Sequence, residues 1–224
     1  MNKMIIKVCG MRDGDNIRAL QKIDIDWMGF IFFSGSPRYV SGEDKWTDAI
    51  QSCSKVKVGV FVNEEQAEIE RKVAKYRLDY VQLHGDESPD DCRRLQESGY
   101  AIIKAFSISS ELDFQQTVGY ESFVKYFLFD TKGDKRGGTG QRFDWSVLED
   151  YRGSIPFLLS GGIGAEHLAE LSAFRHPLLA GIDLNSRFEC APALKEVDRL
   201  ERFVKQLKIE NCVHSEKKEN RKVR

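Results

Sequence analysis

Eight short apolar runs punctuate this chain, and each is followed by a longer polar or amphipathic stretch. The runs are Met4–Cys9, Trp27–Phe33, Val56–Val62, Tyr80–Leu83, Ala101–Phe106, Tyr126–Asp130, Ile155–Ser160 and Leu178–Leu184. Between them lie helix-length segments at Asp13–Lys22, Glu43–Ser52, Glu64–Tyr76, Ser88–Ser98, Ser110–Tyr120, Trp145–Tyr151 and Ala165–Phe174, with a last one at Pro192–Leu207. Runs rich in β-branched and aromatic residues favour strands, and near-continuous apolarity marks strands buried on both faces. Strand–helix alternation therefore predicts a parallel sheet covered by helices, and eight units close a (β/α)₈ barrel, the TIM-barrel architecture of the α/β class. An open doubly wound sheet is the alternative. It usually carries a GxGxxG turn after the first strand, where this chain has CGMRDGD, Cys9–Asp15. A chain of 224 residues suits one such barrel. We place a single domain over 1–208 and a charged tail, a candidate for disorder, over 209–224.

Composition narrows the function. The formal net charge is -1, so no general basic field gathers nucleic acid. The basic tail residues Lys217, Lys218, Arg221, Lys222 and Arg224 are interleaved with Glu216 and Glu219. The N-terminal apolar run is too short for a signal peptide, and no later run is long enough to cross a membrane. The five cysteines are scattered without a CxxC pair. That odd count predicts reduced thiols in a cytoplasmic protein, with neither disulfides nor a zinc site.

The stretch Phe127–Trp145 carries the sharpest chemical signal. An apolar strand ends on Asp130, and a loop containing Lys135, Arg136 and Gly137–Gly140 follows. An unpaired buried carboxylate is costly, so a strand seldom ends on one without a use. Ligands collect at the C-terminal strand ends of parallel α/β folds. Side chains alternate along a strand, so Cys9 shares a face with Lys7 and Ile5, and Asp130 shares one with Leu128 and Tyr126. If both faces point inward, a thiol and a carboxyl group meet at the barrel mouth as a candidate base and acid. A free thiol titrates near 8.5, and the Lys7 ammonium two residues away would favour its thiolate.

Anion sites are the next signal. Ser160-Gly161-Gly162-Ile163-Gly164 follows the seventh run, and Asp183-Leu184-Asn185-Ser186 ends the eighth. Glycines let backbone N–H groups approach an anion, and the loops after strands seven and eight are the usual phosphate site in these barrels. Arg187 comes next and either adds to that site or faces solvent, the commoner fate of an arginine. Arg38, on the Pro-stiffened turn Ser34–Tyr39, could clamp a planar carboxylate. His84 ends the fourth run and reads best as a hydrogen-bonded structural histidine. The other three histidines lack metal-ligand spacing.

These residues resemble the phosphoribosylanthranilate isomerases of tryptophan biosynthesis. The resemblance is carried by Lys7–Gly10, Gly29–Phe32 with Ser36-Pro37-Arg38, Val58–Val62, Val81–Gly85, Asp130 with Gly137–Gly140 and Phe143–Trp145, Leu159–Ile163 and Gly181–Asp183. It implies a (β/α)₈ barrel that performs an Amadori rearrangement of N-(5-phosphoribosyl)anthranilate without cofactor or metal, as a monomer or homodimer. By resemblance, Asp130 is the general acid that opens the ribose ring and Cys9 the base that removes the C2′ proton. Arg38 holds the anthranilate carboxylate. Gly161, Gly162, Asp183, Asn185 and Ser186 bind the rest of the phosphoribosyl substrate, with Lys7 and His84 behind the reacting groups. The chain departs from the family in Asn185–Glu189, where a small Ser/Gly-type sequence is usual. Two competing readings are the histidine-pathway aminoaldose isomerase, which has a carboxylate where this chain has Cys9, and an inactive phosphate-ligand-binding barrel.

Overall fold

The computed structural model describes residues 4–41, 44–131 and 145–222, and within them all side chains except those of 44, 45, 131 and 211–222. The loop Gly137–Gly140, with Lys135, Arg136 and Asp144, lies outside the described residues. Eight strands form a closed, all-parallel barrel in sequential order. They are β1 (Ile5–Val8), β2 (Trp27–Ile31), β3 (Val56–Phe61), β4 (Tyr80–Leu83), β5 (Ile102–Ile108), β6 (Tyr126–Thr131), β7 (Phe157–Ser160) and β8 (Leu179–Leu184). The ring closes where β1 pairs with β8, and that register sets Lys7 beside Asp183 and Val8 beside Leu184. The expected barrel is thus the observed one.

Local sequence explains the helices that keep full α geometry. Asp13 caps α1 (Gly14–Leu20) by accepting from the Asn16 N–H. Ser88 and Asp91 form a reciprocal capping box on α4 (Pro89–Glu97), and Pro89 fills the first turn, where its missing N–H costs nothing. The remaining α-helices are α2 (Asp44–Gln51), α3 (Gln66–Tyr76), α5 (Leu168–Ala173) and α6 (Val197–Lys222).

Three expected helices come out differently. Glu111–Thr117 and Trp145–Asp150 are 3₁₀ turns, and 165–173 splits into a 3₁₀ turn and the six-residue α5. Such short segments form few i→i−4 bonds, so end contacts decide their geometry. In the first of them the Asp113 carboxylate gathers the N–H and hydroxyl groups of Ser109 and Ser110. The last helix also departs from expectation. Its backbone continues past Leu207 to Lys222, where the sequence suggested a disordered tail. No Gly or Pro follows Pro192, and Lys and Glu are good helix formers, so nothing in that stretch stops the helix.

Alternation along β6 separates two cores. Phe127 and Phe129 point outward into an aromatic cluster with Phe106, Phe114, Tyr151 and Phe157 under the covering segments. Tyr126 and Leu128 point inward and join Trp27, Val58, Ile103, Leu158 and Tyr80. Trp27 stacks on Tyr80 with centroids 4.8 Å apart, plugging the barrel at the N-terminal ends of its strands. The interior is therefore solid below, and a cavity can open only above.

Candidate active site

That cavity lies at the C-terminal ends of the strands and encloses about 360 Å³, enough for a small phosphorylated ligand. Cys9 lines it from just past β1 and Asp130 from β6, so the two inward faces meet as the alternation requires. Cys9 is held by its own N–H, which donates to the Leu184 carbonyl at 2.8 Å. Gly10 follows at φ +79°, a turn that L side chains rarely adopt, and a Cβ there would lie 2.5 Å from Arg38 Cδ and 2.9 Å from Asn185 Oδ1. Gly29 on β2 leaves the room that the thiol occupies, since a Cβ there would lie 2.7 Å from Cys9 Sγ. Gly29→Ala should therefore displace the sulfur, lowering kcat/KM by roughly 10²-fold at unchanged circular dichroism. Wild-type rates in that variant would show that the thiol has slack.

Under Cys9 sits a buried ion pair. Lys7 is fully buried, and its Nζ lies 3.0 Å from Asp183 Oδ1. Burial alone would lower the Lys7 pKa, but the Asp183 carboxylate and the Cys9 sulfur outweigh it and raise the value above 10.5. Burial also pushes the Cys9 thiol up; Lys7 and Lys195 pull it down, Asp183 opposes them, and the net shift is upward. The expected influence of Lys7 is present with the expected sign, yet desolvation is larger, so the resting sulfur is a neutral thiol at pH 7.

Gln82 on β4 and His84 just past its end face the same cavity. The Gln82 Nε2 lies 2.9 Å from His84 Nδ1; with the amide donating, the imidazole proton sits on Nε2, which is 3.9 Å from Asp130 Oδ2. Burial, with Lys7 and Lys104 nearby, lowers the His84 pKa and keeps the ring neutral. His84 is hydrogen-bonded as expected, but it is also a cavity wall. Gln82 Oε1 is buried and has no hydrogen-bond partner among the described residues, an acceptor left for a ligand. The loop that carries His84 is pinned by buried Lys104, which donates to the Gly85 carbonyl at 2.7 Å and to Glu87 Oε2 at 3.0 Å.

Gly161 and Gly162, at φ +99° and +60°, line the cavity beside Ser160, Asn185 and Ser186. Opposite them Ile31, Phe33, Val60 and Val62 form an apolar wall, with Ser36 at its edge. Arg38 is not a lining residue. Its Nε and Nη2 fork onto Glu189, at 2.9 Å to Oε1 and 2.6 Å to Oε2. Glu189 also holds the buried Lys195 ammonium, which donates to Asn185 Oδ1 at 2.8 Å. Both residues belong to a small hairpin, β9 (Glu189–Ala191) and β10 (Leu194–Lys195), laid beside the barrel mouth. Sequence reasoning missed Glu189, Lys195 and Gln82. Gln82 could have been found, since it shares the parity of His84; the hairpin residues gave no periodic signal. Among the described residues, no cluster of His, Cys, Asp or Glu could hold a metal, and no helix is long and apolar enough to cross a membrane.

Fold and site together define a (β/α)₈-barrel enzyme whose candidate acid and base stand at the C-terminal mouth. Residues 6–206 match the family model described as N-(5'phosphoribosyl)anthranilate (PRA) isomerase. The N-(5'-phosphoribosyl)anthranilate isomerase of Parabacteroides distasonis is 52% identical over 207 residues, which cover 91% of this chain and 93% of that protein. The solved phosphoribosyl anthranilate isomerase from Thermotoga maritima superposes with a TM-score of 0.78 at 32% identity, covering 92% of this chain and 99% of that one. A second solved isomerase, in complex with reduced 1-(o-carboxyphenylamino)-1-deoxyribulose 5-phosphate, gives 0.75 at 29% identity and the same coverage. The chain belongs to the N-(5'-phosphoribosyl)anthranilate isomerase family. It is an isomerase of tryptophan biosynthesis.

Proposed function

We propose that this chain performs the Amadori rearrangement of N-(5'-phosphoribosyl)anthranilate by general acid–base catalysis, with Asp130 as the acid and Cys9 as the base. One observation carries the reading: the thiol and the carboxyl group line one cavity, between a glycine-rich loop pair on one side and an apolar wall on the other. Strand order sets the polarity of the site. The β7 and β8 loops stand on one side of Cys9, and β2 and β3 stand on the other. A phosphate at Gly161, Gly162, Asn185 and Ser186 then puts the anthranilate ring against Ile31, Phe33, Val60 and Val62. The ribose lies between the ends, over Cys9. Arg38 stands behind the ring end, its Cδ packed on Gly10, and Glu189 aims its guanidinium.

Asp130 gives its proton to the ribose ring oxygen. The C1′–O bond breaks, and the nitrogen lone pair forms the C1′=N bond of a protonated Schiff base. Cys9 takes the C2′ proton, the electron pair neutralises the iminium, and the resulting enolamine tautomerises to the aminoketose. The step needs a thiolate, which burial disfavours in the free enzyme. The cationic Schiff base brings a positive charge against Cys9 that adds to Lys7 and lowers the thiol's pKa when the base is required, so the thiol gives its proton to solvent before it takes the C2′ proton. Asp183 fixes Lys7 and so holds that cation under the sulfur. The test is turnover of N-(5'-phosphoribosyl)anthranilate, followed by the fluorescence of the anthranilate chromophore, for wild type and Asp130→Asn. Rapid conversion lost in the variant supports the reading. Binding without turnover by wild type would make the barrel a ligand-binding module.

A further inference from the structure

The cavity poses an electrostatic problem that the glycine loops do not solve. Among the described residues that line it, the carboxylic side chains are Asp130 and Asp183, and the sole lysine or arginine is Arg187. Lys7 and Lys195 lie behind the wall: Lys7 is matched by Asp183, and Lys195 shares Glu189 with Arg38. A phosphate monoester carries close to two negative charges at neutral pH. Backbone N–H groups orient such a group, but they bring no net charge to offset its own.

Arg187 sits where that charge is needed. It lies on the 3₁₀ turn Ser186–Phe188 directly after β8 and lines the cavity with Gly161 and Gly162. Its Nη1 is 3.9 Å from Glu166 Oε1, on the 3₁₀ turn Ala165–His167 that follows the β7 loop. The Glu166 carboxylate in turn packs against Gly164. The guanidinium therefore stands at the junction of the β7 and β8 loops. Its link to Glu166 is long, and the two side chains are 59% and 50% exposed, so it is a weak pair that a better anion displaces.

We propose that Arg187 is the side-chain cation that binds the substrate phosphate, leaving Glu166 for the phosphate oxygens when substrate enters. This rests on the phosphoribosyl reading above and deepens it. Arginine matches phosphate geometry with two parallel N–H donors, which an ammonium cannot do. Glu166 then acts as a competing anion that weakens binding.

The test measures inorganic phosphate as a competitive inhibitor of turnover by the full chain, for wild type, Arg187→Gln, Arg187→Lys and Glu166→Gln. We expect Arg187→Gln to weaken phosphate binding and raise KM by about tenfold, the loss of one charge-assisted contact, with kcat within about twofold of wild type. Arg187→Lys should recover part of that loss. Glu166→Gln should tighten phosphate by about twofold to threefold, by removing the competitor. KM should also rise less steeply with salt in Arg187→Gln than in wild type. Equal phosphate inhibition of wild type and Arg187→Gln at low salt overturns the proposal and leaves the isomerase reading standing. A loss confined to kcat also overturns it. A wild type that neither isomerises the substrate nor binds phosphate overturns both.

Discussion

Cys9→Ala is expected to lower turnover of N-(5'-phosphoribosyl)anthranilate by about 10²–10⁴-fold, the usual contribution of a positioned general base. KM should change little, because the sulfur reacts with the substrate and does not anchor it. Cys9→Ser should be nearly as slow, since a hydroxyl is far harder to deprotonate than a thiol. The Cys9→Ala/Asp130→Asn double variant should be little worse than either single one, because two groups that act as a unit are not additive. Substantial activity in Cys9→Ala would move the base elsewhere. The pH dependence follows from the raised thiol pKa. Because the folded value lies above the ordinary one, the thiolate fraction at pH 7 is small and grows about tenfold per pH unit. Alkylation of Cys9 by iodoacetamide, read by peptide mapping, should therefore climb without levelling off below about pH 8.5. Mapping is needed because Cys190 is exposed and will react as well. A plateau near pH 7 would mean that Lys7 outweighs burial.

Lys7→Met should be the most destabilising of the single substitutions discussed. It removes the ammonium from a pair whose side chains are 0% and 6% exposed and strands the Asp183 carboxylate inside the barrel. Breaking a buried pair from one side costs about 3–5 kcal/mol, visible as a lower urea midpoint at unchanged m. Adding Asp183→Asn should recover part of the loss, because no unpaired buried charge remains. Linkage gives the sign of the pH effect. A lysine whose folded pKa is raised contributes stability that is complete below its unfolded value, near 10.5, and is lost as pH rises through the folded value. Wild type should therefore lose stability above pH 10.5 by a component that Lys7→Met lacks. The same substitution should move the alkylation profile of Cys9 further upward, since the first of the groups lowering that pKa is gone. An unchanged profile would separate Lys7 from the chemistry at Cys9 and leave it a structural partner of Asp183.

Much of this molecule was legible in its sequence. Eight apolar runs fixed the strand count, and period-two alternation put Cys9 and Asp130 on faces that meet at the mouth if both point inward; these are local properties of a few consecutive residues. Helix type was less legible, because segments such as Glu111–Thr117 are too short for propensity to outweigh end contacts like those of Asp113. Tertiary structure alone decided the pairings and their electrostatic outcome. Lys7 and Asp183 are 176 residues apart and meet only because β1 closes on β8 in one register. Arg38 and Glu189, 151 apart, meet only when the hairpin after β8 lies beside the turn after β2. The upward shift of the Cys9 thiol is of the same kind. Sequence places a lysine beside the cysteine, but only the packed barrel removes the water, and that desolvation outweighs the neighbouring charge.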